Sequence, residues 1–213
     1  MKIKSGKRIL LLVVVMLFGL SSSYVFADLN AHTLDGYFSH VTNIGTSNNN
    51  VKVYRNSSVT SYGLGGAVTN AITHWGDASQ KLSFTETTTE DCTGCMAIYV
   101  GSNTIANGYV GYADYWVKNW YGGWSEVSYD DVDRGSKFER ARIRVDYQHM
   151  VNEGFSPNNM WKTVAHEIGH GLSLAHTHFY PAHSGEHWMT QGKIDLTAPT
   201  STDKTHLTQK WGS

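Results

Sequence analysis

Cysteine is scarce in this 213-residue chain, which has two, Cys92 and Cys95. That excludes a fold stapled by several disulfides. The pair stands in Cys92-Thr93-Gly94-Cys95. A zinc half-site there would need two further ligands that nothing nearby supplies, and a thioredoxin-type redox site lacks its βαβ surroundings. A disulfide closing a tight loop is the expectation. Charge is scarce too: 17 Lys and Arg stand against 18 Asp and Glu, and no basic stripe marks a nucleic-acid surface. The apolar run Ile9 to Leu20 falls short of the ~20 residues that span a bilayer, so no membrane anchor is expected.

That run belongs instead to a secretory signal. Lys2, Lys4, Lys7 and Arg8 precede it, and Val25-Phe26-Ala27 supplies a small-x-small cleavage site. Residues 1–27 are therefore expected to be removed and the mature protein to be extracellular, with no membrane partner. Residues 28–50 are weakly patterned, an N-terminal segment or short propeptide without a cysteine to block a metal. Residues 51–213 suffice for one domain with a core, expected to be a monomer.

Periodicity places the elements. Val51 to Tyr54 alternates as a strand; Ser61 to Ala78 repeats Leu64, Val68, Ala71, Ile72 and Trp75 at helical spacing. His74 in that helix reads as structural. Leu82 to Phe84, Met96 to Gly101, Gly108 to Val117 and Ala141 to Tyr147 read as further strands. Ser156-Pro157 opens a second long helix, and Thr202-Asp203 caps a short last one. Between strands, Trp116, Trp120, Tyr121, Trp124 and Tyr129 suit a loop stapled to the core, with a subsite wall or a sugar-stacking surface as the functional alternative. Asp130, Asp131 and Asp133 suit a solvated turn or a Ca²⁺ site.

The chemistry gathers in His166-Glu167-Ile168-Gly169-His170, with His176 six residues on. Histidines at i and i+4 stack on one helix face about 6 Å apart along the axis, so both imidazoles reach one ion. Glu167 lies near that face and can address a metal-bound water. On a continued helix His176 would sit about 9 Å beyond His170 and about 120° away from it. A chain that reverses near Leu172 returns it to the ion. On the wheel the two helix histidines lie opposite the stripe of Trp161, Val164, Ala165, Ile168 and Leu172, so one face packs and the other floors a cleft.

These residues resemble the signature HExxHxxGxxH of the metzincin metallopeptidases, in their matrixin-like branch. His166, Glu167, His170 and His176 match it in position; Ser173 stands where the family has glycine. The resemblance implies an α+β fold with a twisted, mostly parallel sheet, an antiparallel edge strand, two long helices and a short C-terminal helix. It implies Zn²⁺ on His166, His170 and His176, Glu167 as general base and acid, and Met189 as the methionine beneath the metal. It further implies a secreted endopeptidase that binds a protein or peptide in extended form along Gly108 to Val117. Three alternatives stay open: His178 as third ligand; a gluzincin-type peptidase using Glu186; and a non-catalytic secreted zinc- or glycan-binding protein.

Overall fold

A computed structural model describes residues 33–34, 49–177 and 185–213, Asn107 by its backbone. The expected signal 1–27, most of 28–50, His178 and His183 lie outside these residues. Among the described residues no helix is long and apolar enough to cross a membrane.

The fold is α+β around one mixed six-stranded sheet, in the order β2-β1-β3-β6-β4-β5. Its strands are β1 (Asn49–Arg55), β2 (Leu82–Thr87), β3 (Cys95–Gly101), β4 (Gly111–Lys118), β5 (Trp124–Val127) and β6 (Arg140–Asp146). The four strands β2, β1, β3 and β6 run parallel. β4 joins β6 antiparallel, and β5 joins β4 the same way. The central β3 buries Cys95, Met96, Ala97, Ile98 and Val100, a near-continuous apolar run, as a parallel strand covered on both faces should. β1 alternates instead, turning Val51 and Val53 inward.

The helices are α1 (Ser57–Ser61), α2 (Gly65–Ala78), α3 (Tyr129–Asp133), α4 (Tyr147–Asn152), α5 (Pro157–Gly171) and α6 (Ser201–Trp211). The expected helix from Ser61 thus divides at Gly63, whose φ of 73° takes the chain out of α1 before α2 begins. The last helix is capped by Thr200 rather than Thr202: Thr200 accepts from the Asp203 backbone and Asp203 accepts in return. α5 packs against α2, β4 and β6. Residues 33–34 run along its C-terminal turn, with Leu34 buried and its N–H donating to Ser173 O at 2.9 Å.

Register decides what the cleft sees. β5 covers β4 only at Tyr115–Lys118, whereas β6 pairs β4 from Gly111 to Trp116. The outer edge of Gly111 to Asp114 is therefore left without a strand partner among the described residues. The expected edge strand is present, but as the open half of a strand whose other half is covered.

Candidate metal centre

α5 begins with a complete capping box. Ser156 Oγ accepts from Asn159 N at 3.1 Å, Asn159 Oδ1 accepts from Ser156 N at 3.0 Å, and Pro157 takes the first turn. Three buried side chains then hold the helix by its carbonyls. Trp75 Nε1 donates to Ala165 O at 3.0 Å, the Tyr115 hydroxyl to His170 O at 3.0 Å, and Trp211 Nε1 to Leu172 O at 2.8 Å. Each anchor comes from a different element, so the histidine-bearing half of α5 cannot tilt without breaking one.

The helix stops where the metal reading requires. Ser173 has φ 65°, the left-handed conformation that glycine adopts freely. Ser173 N donates to His170 O at 2.9 Å and Leu174 N to Gly169 O at 3.0 Å. Those two bonds make a Schellman ending with serine in glycine's place. Gly171 takes no part in the turn; it remains helical, and a Cβ on it would meet Met96 Cε at 2.8 Å. Its smallness lets α5 approach β3.

The reversal returns His176 to the other two histidines. Nε2 of His170 lies 3.1 Å from Nε2 of His166 and 3.0 Å from Nε2 of His176. One ring nitrogen from each of the three lies within 4.8 Å of the others, a group that could hold a metal ion. Nδ1 of His166 donates to Trp188 O at 2.7 Å, and Nδ1 of His170 to Leu174 O at 2.8 Å. These bonds fix the tautomers, so both Nε2 atoms present lone pairs to the centre. Burial, helped by the neighbouring histidines, holds His166 well below the usual imidazole range and His170 down to about 3. Both are neutral, the form that binds metal.

Glu167 sits beside them, buried, its carboxyl pushed up by burial to about 8 against the opposing pull of Lys162. The strand opposite comes very near: a Cβ on Gly111 would lie 2.3 Å from Glu167 Oε1. Only glycine leaves room for the carboxyl between helix and strand edge. The cleft around these groups has a volume of about 390 Å³ and includes Tyr112, Tyr129 and Lys162 in its walls.

Met189 is fully buried, and its Sδ lies 2.4 Å from where a Cβ on Gly169 would be, so it packs directly on the helix between the metal-side histidines. Its O accepts from Thr177 N at 3.0 Å, tying the residue after His176 to the same turn. Asp203 holds that turn from beneath, accepting from Trp188 N at 3.0 Å, Met189 N at 3.2 Å and Thr200 N at 2.8 Å. Glu186 is exposed and stands outside the metal group, which removes the gluzincin alternative. His187 meets Thr200 Oγ1 at 2.7 Å, and His74 stands edge-on to Trp188, both structural.

Other expectations fall elsewhere. Cys92 and Cys95 form the disulfide. Asp130, Asp131 and Asp133 lie on α3, where Arg134 pairs with the first two in solvent, and form no metal group among the described residues. The aromatic run is not a stapled loop. Trp120 and Tyr121 are 84% and 74% exposed at the β4–β5 turn, because Asn119 closes that turn with its own side chain and backbone and needs no apolar anchor. Trp116 and Trp124 instead carry the guanidinium groups of Arg142 and Arg140.

Sequence reasoning missed Lys162 and Tyr115, and took Asp203 for a helix cap alone; Tyr129 does line the cleft, as the subsite-wall alternative for the aromatic run had it. Lys162 was detectable, since it precedes His166 by the same four residues that separate His166 from His170. Asp203 was detectable as the third residue of a Thr-x-x-Asp cap. Tyr115 carries no local signal, because its nearness to His170 depends on the sheet.

Fold and site together define the class: an α+β chain with three histidines that could hold a metal in a cleft floor. No family model matches the chain, and no curated protein matches it. A comparison with solved structures finds a chain titled "GM1 bound form of the ECX AB5 holotoxin", at 13% identity and a TM-score of 0.44, with 78% of this chain and 82% of that one covered. A likeness of that size carries no argument about activity. No family model and no curated protein accompanies the motif, so the expectation of a secreted zinc endopeptidase that hydrolyses peptide bonds is not carried forward. It is corrected to the coarser statement that the three histidines could bind a metal.

Proposed function

We propose that the chain is an exported zinc-binding protein of metzincin-like build, in which His166, His170 and His176 hold the ion and an extended ligand lies along Gly111 to Asp114. One observation carries the reading. The Nε2 lone pairs of His166 and His170 face each other at 3.1 Å while both Nδ1 protons are committed to carbonyls. Two such lone pairs repel, and a cation between them removes the repulsion. A tetrahedral zinc at about 2.0–2.1 Å from each nitrogen would set neighbouring nitrogens about 3.3 Å apart, close to the observed separations. The all-imidazole donor set suits the same ion. Export rests on the signal pattern of residues 1–27.

Glu167 lies beside the three histidines in the same cleft, buried and held in the narrow space that Gly111 leaves.

Zinc-loaded wild type and Glu167→Gln test the reading. It expects equal zinc in both proteins by metal analysis, and no turnover of casein or 4-nitrophenyl acetate by either. Turnover by wild type that Glu167→Gln abolishes, or a chain that takes up no zinc, overturns it.

A further inference from the structure

The turn that returns His176 to the other histidines is poor by its own chemistry. Ser173 holds φ 65° there, a conformation that costs any residue with a Cβ. It is fully buried, and its hydroxyl has no hydrogen-bond partner among the described residues. A buried hydroxyl without a partner is unfavourable. Both penalties fall on the residue that bends the chain, so the hold on this turn has to come from outside it.

Residues 33–34 supply that hold. Thr33 pairs with Leu174 in an antiparallel bridge, and the Leu34 N–H donates to Ser173 O at 2.9 Å. The Leu34 side chain is fully buried in the cluster that contains Leu172, Leu174, Leu207 and Trp211. α6 grips both partners with consecutive residues: Lys210 Nζ donates to Leu34 O, and Trp211 Nε1 donates to Leu172 O at 2.8 Å. Leu174 is also the residue whose carbonyl accepts from His170 Nδ1 at 2.8 Å, and it stands two residues before His176. A short segment distant in sequence thus braces the residue on which two of the three imidazoles depend.

We infer that Leu34 is a positioning residue for the metal centre: buried beside the Ser173–Leu174 turn, it keeps the Leu174 carbonyl on His170 and His176 within reach of the ion. The inference rests on the metal-centre reading and adds that residues 33–34 belong to the working domain, not to a dispensable propeptide. Groups that orient a metal-binding histidine through its second nitrogen change metal affinity by about 10–100-fold when removed. Leu34 acts one step further out, through the placement of such a group, so its loss should cost at least about fivefold. A glycine at 173 takes the turn without strain, so the dependence on Leu34 should shrink there.

The test is the zinc affinity of the full chain, by competition with a chromophoric chelator, with circular dichroism confirming that each variant folds. Leu34→Ala should bind zinc at least about fivefold more weakly than wild type, and Leu34→Met within about twofold of it. Val59→Ala, which trims a buried side chain of α1, should stay within about twofold as well. In the Ser173→Gly background, Leu34→Ala should cost less than about threefold. A loss below fivefold in the wild-type background overturns the inference. So does Val59→Ala matching Leu34→Ala, which would mark a general loosening of the core. A cost of threefold or more in Ser173→Gly would show that Leu34 does not act through the turn, which also overturns it. Should Leu34→Ala not fold, Leu34→Val takes its place, with twofold as the dividing line. Wild type that binds no zinc ends the metal-centre reading, whereas wild type and Leu34→Ala that bind it equally end this inference alone.

Discussion

The two walls of the cleft are built by different means. The α5 wall is overdetermined: a capping box starts it, indole and phenol donors from three elements hold its carbonyls, and the turn at Ser173 ends it with two further bonds. The β4 wall is half finished, with Gly111 to Asp114 open on its outer edge among the described residues and the aromatics of the β4–β5 turn in solvent. A metal needs donors held to within tenths of an ångström, whereas a ligand that supplies its own hydrogen bonds needs an edge with spare ones. The contrast separates the rigid part of the function from the adaptable part.

Mutations on the rigid wall should have the largest effects. His166→Ala should reduce bound zinc from one ion per chain to near none, measured by metal analysis after dialysis. Asp203→Ala leaves the Trp188, Met189 and Thr200 amides without their acceptor. The cost should be about 3 kcal/mol in urea unfolding, with zinc affinity weakened as well. A loss below 1 kcal/mol would mean that the Met189 turn holds itself.

Smaller effects sharpen the contrast. Ser173→Gly should stabilise the chain by about 1 kcal/mol, since glycine adopts the left-handed conformation without the Cβ penalty. Destabilisation would show that the serine hydroxyl outweighs the strain. In the metal-free protein, acid should act through the histidines. The folded pKa of His170 is lowered to about 3 from 6.5, so the unfolded chain binds the proton first. Stability is therefore lost as pH falls from about 6.5 towards 3. Glu167, raised to about 8 from 4.5, works the other way, its contribution present in acid and lost as pH rises through 8. With chelator present, Tm should fall between pH 7 and pH 5, and fall further in Glu167→Gln, which lacks the opposing carboxyl. On the open wall, Trp120→Ala should change stability by less than about 0.5 kcal/mol, because so exposed a side chain has little packing to lose.

What could be read in the chain follows the same division. The histidine triad was legible because its geometry is local: four residues along a helix, then six across a turn. The strands β1, β3 and β6 were legible from alternation or from an unbroken apolar run. The turn at Ser173 was legible as a requirement, since without it His176 points away, although serine is a poor marker for it. The open half of β4 was not, because coverage by β5 depends on where the Asn119 turn closes. The division of Ser61 to Ala78 was missed because Gly63 interrupts a pattern whose apolar spacing continues across it. Trp120 and Tyr121 were misjudged for a related reason: aromatic bulk suggests burial, but a turn closed by Asn119 carries them outward.

The central claim is that the chain doubles back after Leu172 and gives the ion three imidazoles. X-ray absorption at the zinc edge of the loaded protein and of His176→Ala tests it most directly. Wild type should show three imidazole nitrogens and the variant two. Two in wild type, or three in His176→Ala, would contradict it.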